Sequence, residues 1–234
     1  MFAPPVTVAV VDTGANVRAP ALVGRQLQTY DVRTGTRTVA DANGHGTVVA
    51  SIVARESGGS RLLVIRAGSA SGAFTDVNEA AAIRYAVAHG ARIINLSLGG
   101  PTTSPTERSA VRYAIAHGVV IVAAAGDDYA ARPEYPAALL GADGLAVAAV
   151  TATGRHALFS NTGPWVSIAA VGEDGTSFAA PHVAAAAARV WNANPRLSAR
   201  EVIGILERTA SGNGTRTDEL GFGVLDVERA LAAG

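Results

Sequence analysis

The chain has 234 residues, 49% hydrophobic and 16% charged, enough apolar material for one globular domain over 1–234 with a sizeable core. Nineteen basic residues balance nineteen acidic ones, so nothing electrostatic favours nucleic acid or an anionic membrane as partner. No cysteine is present, which excludes disulfides and thiol chemistry, and no apolar run reaches the roughly 18 residues of a bilayer span.

Met1-Phe2-Ala3-Pro4-Pro5 lacks a charged region and an apolar region, so it is no signal peptide. Val6 to Gly14 is a β-branched run ending in Asp12 and Gly14, as a central parallel strand ends at the carboxyl edge of a sheet. Gln26 to Asp31 reads as a short strand. Asn43-Gly44-His45-Gly46-Thr47 sets a histidine between glycines at the start of an apolar helix. Leu62 to Arg66, Arg92 to Ser97, Val119 to Ala125 and Leu145 to Val150 are apolar strands, with helices between them. Thr75 to His89 is one such helix. Ser104-Pro105-Thr106-Glu107 opens the next with a capping box and a proline at its first position. Ala-His-Gly closes both, at Ala88 and Ala116, with glycine just past the end. His89 and His117 are then last-turn residues suited to the helix dipole rather than to catalysis.

Further on, Gly175-Thr176-Ser177 stands at the entrance of an alanine-rich buried helix, Val183 to Val190, with Pro181 assigned to its first turn. Ser198-Ala199-Arg200-Glu201 is a second capping box, for a helix ending near Thr209, and Asp226 caps a last short helix. The alternation predicts an α/β fold: a three-layer, doubly wound, mostly parallel sheet covered on both faces.

The chemistry-bearing residues lie at the ends of these elements. A helix N-terminus presents unpaired N–H groups and partial positive charge, so a serine held there can act as a nucleophile whose oxyanion those amides stabilise. Ser177 has that position. Asp12 and His45 supply the residue types of an orienting acid and a general base. Taken singly, each has a plainer reading: a cap, a turn residue, a structural histidine.

Taken in order, the motifs resemble those of a subtilisin-like serine protease (subtilase). The resemblance rests on Val11-Asp12-Thr13-Gly14, Gly44-His45-Gly46-Thr47, Ser97-Leu98-Gly99-Gly100, Ala124-Ala125-Gly126 and Gly175-Thr176-Ser177, and runs from about Val6 to Ala230. Phe159 to Gly163 is similar to the family's segment preceding its active-site serine. The resemblance implies a subtilisin-like fold, a catalytic triad in which His45 lies within hydrogen-bonding reach of both Asp12 and Ser177, and peptide-bond hydrolysis through an acyl-enzyme. It also implies an extended peptide or protein substrate clamped between Ser97, Leu98, Gly99 and the edge near Ala70 to Ala73. Ala124, Ala125 and Gly126 would then form one wall of the specificity pocket. A monomer that is secreted or periplasmic is implied as well. Subtilases usually carry a pro-segment, and nothing here resembles one: either a mature domain was excised with an added methionine, or the protein folds unaided.

The chain departs from the family in several places. Asp127 stands where the family has an asparagine that donates to the oxyanion, and a carboxylate can only accept. A protonated Asp127 would still donate, and burial beside Asp128 would push it that way. Between Ala170 and Gly175 only four residues remain, so the cleft rim should be open, with Glu173 and Asp174 complementing the helix N-terminus. Phe178 stands where most subtilases carry an oxidisable methionine. The loop Arg55 to Arg61 offers only Glu56 as a carboxylate, so neither calcium nor any other metal or cofactor is expected. The function expected is serine endopeptidase; the alternative is an attenuated domain that binds peptides or processes only a tethered substrate. A nucleotide site has no glycine-rich cradle here.

Overall fold

The computed structural model describes residues 4–234; Met1 to Ala3, and with them most of the amino-terminal pentapeptide, lie outside the described residues. Seven strands form one sheet: β1 (Thr7–Asp12), β2 (Leu27–Asp31), β3 (Arg61–Arg66), β4 (Ile93–Leu96), β5 (Val120–Ala124), β6 (Leu145–Val150) and β7 (Ile168–Val171). Their order is β2-β3-β1-β4-β5-β6-β7, and every neighbouring pair is parallel. The helices are α1 (His45–Glu56), α2 (Asp76–Ala88), α3 (Pro105–Ala116), α4 (Thr176–Ala193), α5 (Ala199–Thr209) and α6 (Val227–Ala233).

Strand side chains alternate between faces, and the core divides accordingly. Val8, Val10, Val120, Val122 and Val147 pack on one face against α1, α4 and α5. Ala9, Val11, Ile94, Leu96 and Ile121 pack on the other against α2 and α3. This is the three-layer α/β architecture expected. From β1 the chain runs to the edge strand β2 and returns to β3 beside β1, then crosses to the other side at β4 and winds outward to β7. The switch therefore falls between β1 and β4, where an open parallel sheet leaves a crevice at its carboxyl edge.

Three features differ from expectation. Strand β7 has no counterpart among the strands read from the sequence, because a four-residue run with two alanines has little strand signal of its own; pairing with β6 makes it a strand. Helix α4 begins at Thr176, well before the alanine run, so Pro181 is its sixth residue and not part of its first turn. A proline there removes the hydrogen bond to the carbonyl four residues back, that of Ser177. Elsewhere the end signals act as read. Ser198 and Glu201 form the reciprocal capping box, Asp226 caps α6, and Gly90 and Gly118 take positive φ just after α2 and α3. At α3 Ser104 caps the Glu107 N–H, but the Glu107 side chain turns into the core.

Candidate active site

Because the strands are parallel, the carboxyl ends of β1, β4 and β5 share one edge, and the amino ends of α1 and α4 face it. Asp12 closes β1 and is fully buried. His45 opens α1, and its Nδ1 lies 2.8 Å from Asp12 Oδ1. The same oxygen accepts the Thr13 N–H at 2.7 Å, whereas Oδ2 is buried without a partner. Burial pushes the Asp12 carboxyl above its ordinary value, against the opposing pull of His45 and Thr13. Burial opposes charge on His45 as well, but the hydrogen bond and charge of Asp12 outweigh it, and the imidazole is raised.

Helix α1 has no side-chain cap of its own, since Gly44 is its N-cap, with φ 97°. Asp41 takes that part. Its two carboxylate oxygens accept from Gly44 N–H (2.9 Å), Thr47 N–H (2.8 Å), Thr13 Oγ1 (2.8 Å) and Thr47 Oγ1 (2.6 Å). Burial works against this charge, yet the four hydrogen bonds prevail and hold Asp41 below the usual carboxylate value. The loop that aims His45 is thus locked to the end of β1. Sequence reasoning missed Asp41; its only signal was an acid four residues ahead of the histidine.

Ser177 lies in the first turn of α4, and the Phe178 ring beside it sits 5.3 Å from that of His45. The carbonyl left free by Pro181 accepts from Ser97 Oγ at 2.7 Å, and Asn95 Nδ2 donates to the same Oγ at 2.9 Å. The Ser177 hydroxyl donates to the Ser97 carbonyl at 3.3 Å and makes no hydrogen bond to His45. The expected chain of three therefore stops at the Asp12–His45 pair. A single side-chain torsion sets where a serine hydroxyl points, and here the Ser97 carbonyl has captured it.

Asp127 is exposed, so the burial expected to favour its protonated form is absent. Its Oδ1 accepts the Thr176 N–H at 2.9 Å, and Thr176 Oγ1 accepts the Gly126 N–H at 3.1 Å. These two bonds stitch the β5 loop to the start of α4. Asp127 is thus the acid that complements this helix N-terminus. Glu173, expected there, instead accepts from the Ala152 N–H at 3.1 Å. Asn161, in the Phe159–Gly163 segment, braces the same loop by accepting from the Asp128 and Ala130 N–H groups.

A cavity of about 180 Å³ opens beside Ser177, lined by Leu98, Gly99, Ala124, Gly126, Asp127, Thr176 and Glu134. Ala125 turns away into a separate apolar cluster with Ala148, Val150 and Ala169. Ala70 to Ala73, expected as an extended edge, is a tight turn closed by Ser69 N–H to Ala73 O at 2.9 Å, with Gly72 at φ 84°. Among the described residues no cluster of three or more His, Cys, Asp or Glu side chains has the spacing of a metal site.

Residues 4–223 match the model of the subtilase family. The chain is 37% identical to a thermophilic serine proteinase of Bacillus sp. (strain AK1), over 89% of this chain and 58% of that protein. It is 34% identical to thermitase of Thermoactinomyces vulgaris, over 89% of this chain and 83% of the relative. Among solved structures, a cold adapted subtilisin-like serine proteinase superposes with a TM-score of 0.82 at 30% identity, covering 95% of this chain and 87% of that one.

Proposed function

The chain belongs to the subtilase family, the subtilisin-like serine endopeptidases, and from that premise we propose that it hydrolyses peptide bonds with Asp12, His45 and Ser177 as its triad. The observation that carries this reading is the 2.8 Å Asp12–His45 bond at the crevice edge, beside the helix turn that holds Ser177. Asp12 fixes the imidazole with its proton on Nδ1, leaving Nε2 free as a base. Rotation of the Ser177 side chain away from the Ser97 carbonyl delivers its proton to Nε2 as Oγ attacks the substrate carbonyl. The imidazolium then protonates the leaving amine, and water resolves the acyl-enzyme by the same route. The Ser177 N–H, in the first turn of α4, is the backbone donor left for the developing oxyanion, since Asp127 holds the Thr176 N–H and the Gly175 carbonyl holds the Phe178 N–H. The continuous sheet supports a single peptidase domain.

Labelling with a fluorophosphonate tests this. Stoichiometric labelling that disappears in Ser177→Ala is expected, and absence of labelling in the parent chain would favour the peptide-binding reading. Labelling should rise with pH, because His45 must be neutral to act as base. Its midpoint should lie above the ordinary histidine value, since Asp12 outweighs burial there.

A further inference from the structure

Among the described residues, Glu134 is the one buried acid beside Ser177 that the mechanism leaves unused. Two backbone hydrogen bonds between Gly100 and Tyr135 (2.9 and 2.8 Å) pin its segment alongside Leu98 and Gly99. Its side chain is only 8% exposed, and its Oε2 is buried with no hydrogen-bond partner. Two glycines make room for it. A Cβ on Gly99 would lie 2.9 Å from Glu134 Cγ and Oε1, and one on Gly126 would lie 3.0 Å from Cγ. Glu134 therefore lines the cavity together with Leu98, Gly99, Ala124 and Gly126, and the same cavity reaches Ser177.

The surroundings do not neutralise this carboxyl. Arg132, the cation that acts on it, is hydrogen-bonded at 2.9 Å to Asp128. Asp127 and Asp128 add negative charge, so three carboxylates stand against one guanidinium. A buried carboxyl without a partner is costly, and a cation entering the cavity would relieve that cost with a charge-assisted hydrogen bond. An apolar side chain of equal length would leave it unpaired.

We propose that Glu134 selects substrates with lysine or arginine on the amino side of the scissile bond, receiving that side chain in the cavity beside Ser177. The proposal rests on the protease reading for the location of the cleft and adds to it the substrate class. It also carries a pH signature. Burial and the charge of Asp128, opposed by Arg132, push Glu134 up to about 7. The carboxyl is therefore largely neutral at about pH 6 and charged at about pH 8, while lysine and arginine remain cationic at both.

The test compares peptide anilides that differ only in carrying lysine or norleucine at that position, since norleucine keeps the chain length and removes the charge. The ratio of kcat/KM values cancels every requirement common to both substrates, including the titration of His45. A lysine preference rising on the order of tenfold between about pH 6 and about pH 8 is expected, with Glu134→Gln flattening the rise. A flat ratio in the parent chain, with norleucine equal or better, overturns the proposal and leaves the protease reading standing. If neither substrate is cleaved and no fluorophosphonate label is taken up, the protease reading fails. Equilibrium binding of the corresponding peptide amides then decides the matter: tighter binding of the lysine peptide at the higher pH is expected, and equal affinities overturn the proposal.

Discussion

At Ser177 the backbone and the side chain are held by groups from separate parts of the chain. Pro181 withholds the helical hydrogen bond from the Ser177 carbonyl, and Ser97 Oγ supplies one in its place. On the other side Asp127 holds the Thr176 N–H. A carboxylate does this well but has nothing to donate to an oxyanion. In Asp127→Asn, the amide oxygen can keep the Thr176 bond while the nitrogen donates. If Asp127 faces the oxyanion, kcat on a peptide anilide should rise, by on the order of 10²-fold at most, with KM little changed. That ceiling matches the cost of losing one such donor in a subtilisin, an enzyme of the same family. Steady-state kinetics check it; if kcat stays the same, Asp127 acts only as the helix cap.

At the scale of elements, α2 and α3 carry an acid pair inside the layer they form. Glu79 and Glu107 are 4% and 2% exposed, and each has a buried carboxyl oxygen without a partner. Burial first, then the charges of Glu107 and Asp76, push Glu79 up to about 9 from 4.5. The native state thus holds a proton that the unfolded chain releases, so stability falls as pH rises from about 4.5 through about 9. Glu79→Gln should raise the melting temperature at about pH 8 by several degrees, where roughly 1 kcal/mol corresponds to 2–4 °C in a chain of this size, and change it little at about pH 4. Thermal unfolding at the two pH values decides it; equal shifts would mean that packing, not the proton, is responsible. The capping signal at Ser104 marked the start of α3 correctly. It did not reveal that Glu107 faces inward, because one local motif cannot report which helix packs across from it.

For the whole molecule, the α1–β3 connection bears on ion dependence. Its one carboxylate, Glu56, is already hydrogen-bonded to His182 Nδ1 at 2.6 Å. Adding a chelator should therefore leave the melting temperature unchanged, since only an ion bound to the native state stabilises it by mass action. A fall of many degrees in a thermal scan with chelator would reveal an ion site elsewhere. Strands β1, β4, β5 and β6 were readable from the chain alone because central parallel strands are buried on both faces and appear as unbroken apolar runs. The helix ends were readable because capping residues act on their own turns. The order of motifs around Asp12, His45 and Ser177 likewise pointed to the family and the fold. Only the tertiary structure decided that Asp127 is exposed, that Ser177 turns to Ser97, that Asp41 locks the histidine loop and that Glu134 lines the cavity. Each of these depends on burial and on which distant segments meet at the sheet edge, and neither is a local property of the chain.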